Sequence, residues 1–337
     1  MTTKIYSIKD YKMYCKAGPT DLIELIPMPG NHPLFILKWI LETTVYAIVN
    51  AEFIHLSGGT GSAKSSLIET LHEVPENMQM ITKALNLEQK PLKMYPIEMA
   101  LYETPGELYQ RRSLKDGATY DEYSELVKAL QDAQQYKEDH YPLIFLREIG
   151  RVHASSVQGG LLNLMTKNDI FLNGGHRIKG SGIAWIADSN YQAADDNTHT
   201  LVTFDDALRR RFSINITLDY LPQPEEQLVL ERIIKHTPRL KVDTKLISNI
   251  VKLGNLIRMR RAEGDLQSVV PPTIYGYLAL YKMAQSMPHL DFKQHVMSSM
   301  LGNASHDDLK DAMILLNQAL GYKGIEEEDS VINDVLF

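Results

Sequence analysis

The sequence predicts an α/β fold in which a parallel sheet flanked by helices surrounds a phosphate-binding loop and is followed by a small α-helical domain. Three observations predict it. Residues 52–71, EFIHLSGGTGSAKSSLIETL, read as a strand, a Gly-rich turn and an amphipathic helix. Two more apolar runs, YPLIFLREI at 141–149 and GIAWIAD at 182–188, are unbroken in the manner of parallel strands buried on both faces. After Pro222 the spacing of apolar residues becomes helical and remains so.

The turn is the most informative stretch. Phe53, Ile54 and Leu56 supply the strand, and Gly58, Gly59 and Gly61 end it. Leu67, Ile68 and Leu71 share one face of the helix that begins near Lys64. The turn spells G-x-x-G-x-A-K-S from Gly58 to Ser65, a phosphate-binding loop with Ala63 where glycine usually precedes the lysine. Small residues let successive backbone N–H groups converge on phosphate oxygens at the positive end of the following helix. The candidate nucleotide contacts are therefore Gly58, Gly59, Thr60, Gly61, Ser62, Ala63, Lys64, Ser65 and Ser66. Lys64 would reach the β- and γ-phosphates, and the Ser65 hydroxyl would face Mg²⁺. Alanine fits position 63 on the expectation of a negative φ there.

Composition bounds the rest. A chain of 337 residues with 44% hydrophobic and 23% charged residues is long enough for two domains of ordinary globular character. No apolar run reaches membrane-spanning length, and the N-terminus lacks the apolar core of a signal peptide. One cysteine, Cys15, excludes an internal disulfide and suits a reducing, cytoplasmic setting. Cysteine and histidine show no metal-ligand spacing. A net charge of −7 weighs against a surface that coats nucleic acid.

In chain order, residues 1–30 read as an irregular arm punctuated by Pro19, Pro27, Pro29 and Gly30. Residues 35–49 read as a helix, 74–96 as polar connection and 95–101 as a short strand. Residues 120–135 read as a second helix carrying Leu126, Ala129, Leu130 and Ala133 on one face. The run at 141–149 ends in Arg147-Glu148. Glu148 stands where an acid could polarise water, whereas 147, the usual position of a metal-supporting aspartate, is arginine. A helix follows at 155–166. A hairpin at 170–178 is signalled by Asn173-Gly174, with Phe171 and Leu172 on its surface. The strand at 182–188 leads to Asn190, at the sheet end where α/β proteins bind ligand. FDDALRRRF, 204–212, reads as a short helix ending in three arginines. Four helices follow at 225–236, 246–261, 274–287 and 307–320, then an acidic tail.

The order of these pieces resembles the AAA+ ATPases. The alanine before Lys64 and the stretch FLREIGRVHASSVQGGLLNLM are similar to the MoxR branch and its dynein-like relatives. The resemblance covers about residues 35–287 and implies ATP and Mg²⁺ as cofactors. It further implies Glu148 as the base of the Walker B strand and Asn190 as sensor 1. Arg211, with Arg210 as a second candidate, would be the arginine finger entering a neighbouring subunit. Catalysis would thus fall to Lys64, Glu148, Asn190, Arg211 and Arg210, with Ser65 at the metal. It implies domains at 31–221 and 222–325, between the arm and a tail at 326–337. It also implies a homo-oligomeric, hexameric ring acting on a separate partner protein, of a kind that often carries a von Willebrand A domain. Two positions depart from the pattern. Arg147 would repel Mg²⁺ and pair instead with Glu148 or a phosphate oxygen, so that hydrolysis would be slow or depend on a partner. The lid arginine (sensor 2) is missing near PPTIYGYL, leaving Arg258, Arg260 and Arg261 as substitutes. The competing functions are a nucleotide-bound scaffold with little turnover and, third, a DNA-acting motor.

Overall fold

The computed structural model describes residues 3–115, 117–152, 155–167, 169–172, 175–190, 206–302 and 304–321. The chain divides into two compact units, Met1–Tyr220 and Leu221–Phe337.

The first unit begins with β1 (Ile5–Ser7), α1 (Tyr11–Lys16), β2 (Leu22–Glu24) and β3 (Phe35–Leu37). The three strands form a small sheet, β1 parallel and β3 antiparallel to β2. Then come α2 (Lys38–Val49), β4 (Phe53–Gly58), α3 (Lys64–Glu73), α4 (Pro75–Ala84) and β5 (Leu92–Glu98). A hairpin of β6 (Gln110–Lys115) and β7 (Ala118–Tyr123) precedes α5 (Glu125–Tyr136). Next are β8 (Tyr141–Arg147), α6 (Ser155–Lys167), the pair β9 (Asp169–Phe171) and β10 (Arg177–Lys179), β11 (Ala184–Asn190), α7 (Asp206–Arg209) and β12 (Ile214–Thr217).

Five strands make the main sheet in the order β12-β4-β11-β8-β5, every neighbouring pair parallel. Alternation along each strand divides the core into two layers. Ile54, Leu56, Leu143, Phe145, Ala184 and Ile186 pack with α2, α3, α4 and the N-terminal sheet. Ile144, Leu146, Trp185 and Ala187 pack on the opposite face with α5, α6 and α7. Burial on both faces accounts for the unbroken apolar runs, since neither face meets water.

Several expectations need correction. The described residues from 3 to 30 are not an irregular arm: they carry β1, α1 and β2, Leu22 is buried, and Ile8, Ile23 and Leu25 belong to the first core layer. Their apolar runs are too short to display a period. The helix expected over 35–49 starts at Lys38, because Phe35–Leu37 pairs with β2. Within 74–96, Pro75 opens α4 and Met78 and Ile81 are buried on it. The strand expected at 95–101 is Leu92–Glu98. Residues 120–123, expected as helix, belong to β7; α5 begins only where the Ser124 side chain caps it by accepting from Val127 N.

The hairpin over 170–178 exists, but Phe171 pairs with Arg177, so the connection is longer than two residues. Its turn signal, Asn173-Gly174, lies outside the described residues. Phe171 is exposed while Leu172 is buried in the second core layer. Of the helix expected over 204–212, the described part is Asp206–Arg209.

The second unit is helical: α8 (Gln223–His236), α9 (Thr244–Ala262), α10 (Ile274–Ser286), α11 (Phe292–Met300) and α12 (His306–Leu320). Of these, α11 has no counterpart among the helices the sequence predicts. Side chains of Asp243, Thr273, Asp291 and Ser305 cap the last four. No described helix is long and apolar enough to cross a membrane. The acidic tail at 326–337 lies outside the described residues.

Candidate functional site

The loop joins the end of β4, the second strand of the sheet, to α3. Its shape needs glycine at Gly58, where a Cβ would lie 2.1 Å from the Leu218 carbonyl oxygen and φ is +154°. Gly61 also has positive φ. Ala63 does too, at +71°, contrary to the expected negative value. The alanine methyl is therefore held in the left-handed region, which the loop's geometry imposes despite a cost of about 1–2 kcal/mol. The Tyr220 hydroxyl donates to the Thr60 carbonyl at 2.7 Å, fixing the outer rim of the loop.

Lys64 is 6% exposed and turns back under the loop. Its ammonium donates to the carbonyls of Gly58 (2.9 Å) and Gly59 (2.8 Å) and to Asn190 Oδ1 (3.1 Å). A fourth, longer contact reaches Ser62 Oγ at 3.4 Å, so four acceptors surround its three protons. Burial pulls the Lys64 pKa below its ordinary value, and the charges of Asp188 and Glu148 pull it partly back. Asn190 reaches Lys64 because β11 pairs directly with β4, placing Asn190 opposite Gly58.

Ser65 opens the first turn of α3, and its hydroxyl donates to Asp188 Oδ2 at 2.8 Å. The other oxygen of Asp188 accepts the backbone N–H of Glu148 at 2.6 Å. Asp188 is 4% exposed, so a buried carboxylate ties the loop helix to the end of β8. Sequence reasoning passed over Asp188. Its only signal was an acid ending the apolar run GIAWIAD, the same kind of signal that marked Glu148. Glu148 itself has φ +52°, and its carboxylate pairs with Arg151 at 3.1 Å.

Arg147 does not pair with Glu148. Its guanidinium meets Glu98 of β5 at 2.9 Å and Glu69 of α3 at 3.8 Å. Glu98 stands directly opposite it in the β5–β8 register. Two carboxylates thus neutralise the cation and hold it on the outer side of β8.

Arg210 and Arg211 are exposed and directly precede the buried Phe212. They project from the end of α7 and are not brought to the loop by any contact among the described residues. The three arginines considered as lid substitutes are engaged inside the second unit. Arg258 pairs with buried Glu226 at 2.7 Å and donates to the Pro272 carbonyl. Arg260 pairs with Glu263 and Asp265. Arg261 donates to the carbonyls of Gln267 and Val269.

Among the described residues no three His, Cys, Asp or Glu side chains gather to form a metal site by themselves. Ser65 and Asp188 nonetheless offer two adjoining hard oxygen donors. That donor set suits Mg²⁺ held jointly with phosphate and water.

Residues 54–212 match the family described as AAA domain (dynein-related subfamily). No curated protein matches the chain. Among solved structures it is similar to a point mutant of RuvB from Thermotoga maritima, at 15% identity and a TM-score of 0.44, over 89% of this chain and 74% of that one. It is also similar to the RuvB Holliday junction branch migration motor of Thermotoga maritima, at 14% identity and a TM-score of 0.42, over 89% and 75% of the two chains. NtrX from Brucella abortus is a third, at 14% identity and a TM-score of 0.39, over 88% and 67%. The loop at the end of β4, Asn190 and Arg211 all fall within residues 54–212, the part of the chain that the AAA domain family (dynein-related subfamily) matches.

Proposed function

We propose that this protein binds ATP at the loop between β4 and α3 and hydrolyses it slowly. It would do so as a MoxR-like ring, a hexamer that remodels or activates a separate partner protein, of the kind that carries a von Willebrand A domain. The observation that carries the reading is the convergence of Lys64 and Ser65 of α3 on Asn190 and Asp188 of β11 by direct hydrogen bonds.

The roles follow from reach and charge. Backbone N–H groups from Gly59 to Ser66 receive the phosphates, and Lys64 exchanges a neutral carbonyl acceptor for a phosphate oxygen, a stronger charge-assisted partner. Asn190 orients both Lys64 and the attacking water. Glu148 takes the water's proton. Its contact with Arg151 must open for it to do so, which favours slow turnover. Arg211, or Arg210 beside it, supplies positive charge to the γ-phosphate in the neighbouring subunit's site. Ser65 and Asp188 would hold Mg²⁺, which when bound neutralises charge on the β- and γ-phosphates.

Steady-state ATP hydrolysis and nucleotide affinity, measured for wild type and Glu148→Gln, test the reading. Binding in both with turnover only in wild type is the expected result. A wild type that binds without turnover would favour the scaffold reading instead, for which the Glu148–Arg151 pair already supplies a reason. A wild type that binds no nucleotide would refute both.

A further inference from the structure

The position next to the P-loop serine is filled here by a carboxylate from a different strand. We infer that Asp188 on β11 is the residue that positions the divalent cation, in place of the acid that Arg147 displaces from β8. This rests on the nucleotide-binding reading above.

The geometry follows from register. Ala187 of β11 lies opposite Leu146 of β8, and Arg147 lies opposite Glu98 of β5. One step along, Asp188, Arg147 and Glu98 stand at the same height on three neighbouring strands. Asp188 also stands opposite Leu56 of β4, the strand that carries the loop. All three side chains lie on the face that carries α3, since Ile186 and Phe145, two residues back on their strands, pack there. The negative charge has moved one strand toward the loop, and the positive charge sits in the place it left.

Asp188 is fitted to the task in three ways. It is buried, so its charge acts with little solvent screening. One oxygen already touches the Ser65 hydroxyl at 2.8 Å. The other holds the backbone N–H of Glu148 at 2.6 Å, so the carboxylate cannot rotate freely and Glu148 is held in register with it. Arg147 does not oppose a cation there with an unbalanced charge, because Glu98 and Glu69 occupy its guanidinium.

The test compares binding of a fluorescent ATP analogue in EDTA and in Mg²⁺ for wild type, Asp188→Asn and the double variant Arg147→Asp/Asp188→Asn. Electron paramagnetic resonance of Mn²⁺ in the analogue complex gives a second readout independent of turnover. Asparagine retains an oxygen for the Glu148 N–H and removes a charge that repels the metal-free triphosphate, so the EDTA affinity of Asp188→Asn should be no weaker than wild type, which shows that the site is folded. The Mg²⁺-dependent gain in affinity should fall by roughly tenfold or more in Asp188→Asn, a usual cost for a residue that orients a metal. The Mn²⁺ signal of the bound complex should fall with it. Returning the acid to β8 in the double variant should restore part of the gain, which a purely structural Asp188 would not allow. An undiminished Mg²⁺ gain in Asp188→Asn overturns the inference while leaving nucleotide binding intact. Failure of wild type to bind the analogue at all overturns the nucleotide-site reading, and the inference with it.

Discussion

His55 should make the first unit acid-sensitive. It lies on β4 and is 4% exposed, with its ring against Phe212 (5.7 Å between centroids) and Nε2 at 2.8 Å from Ser189 Oγ. Burial pushes its pKa down to about 4 from an ordinary 6.5; the Arg209 charge adds to the depression, while Asn215 and Asp188 oppose it. Between these values the unfolded chain binds a proton that the folded chain refuses. Stability is therefore unaffected above pH 6.5 and falls as pH drops toward the folded value, at 1.36 kcal/mol per unit in the limit. From pH 7.5 to pH 5 the loss works out at about 2 kcal/mol. Both tryptophans, Trp39 and Trp185, lie in the first unit, so urea unfolding followed by tryptophan fluorescence reports that unit alone. Wild type and His55→Gln should be compared at both pH values. Other groups titrate equally in both proteins, so the wild-type loss should exceed the variant's by about 2 kcal/mol. Equal losses would refute the reasoning, as would an NMR titration in which His55 gains its proton near pH 6.

Four further substitutions have defined outcomes. Arg147→Met removes the cation between two part-exposed carboxylates and should cost about 1 kcal/mol in the same urea assay, with the difference shrinking at high salt. Ala63→Gly relieves about 1–2 kcal/mol of left-handed strain against about 0.5–1 kcal/mol of added chain entropy. The urea midpoint should rise slightly, and a clear fall would count against the loop's described backbone. Gly58→Ala drives a methyl into the Leu218 carbonyl and should destabilise the first unit by more than about 2 kcal/mol, abolishing nucleotide binding in a filter or fluorescence assay. Gly254→Ala places a methyl 2.0 Å from the Tyr277 hydroxyl, beneath the Glu226–Arg258 pair. It should lower the melting temperature seen by far-ultraviolet circular dichroism while leaving the tryptophan-detected transition in place.

What could be read from the sequence followed from local chemistry. The loop between Gly58 and Ser65 was legible because close backbone approach demands small residues at fixed spacing. The strands at 141–147 and 184–190 were legible because burial on both faces leaves an unbroken apolar run. What escaped depends on neighbours far apart in the chain. Asp188 and Ser65 are 123 positions apart, and only the β4–β11 pairing brings them together. Arg147 looked like a partner for Glu148 because the two are adjacent in sequence. The strand ends at Arg147 and Glu148 turns off it with φ +52° to pair with Arg151, while Arg147 finds Glu98 on the neighbouring strand and Glu69 on α3. Residues 120–123 were read as the start of the following helix; they lie on the surface with no apolar alternation, and only their pairing with Gln110–Ser113 makes them strand. Short elements such as β1 and β2 left no period to detect.

Tyr220 is both the clasp of the phosphate loop and the last residue of the first unit. The chain leaves for the helical unit from the same residue whose hydroxyl grips Thr60. A shift of the Thr60 carbonyl therefore has two outcomes: the clasp lets go, or it drags the departure point of the chain along with it. One side chain thus ties the rim of the phosphate loop to the residue at which the first unit ends.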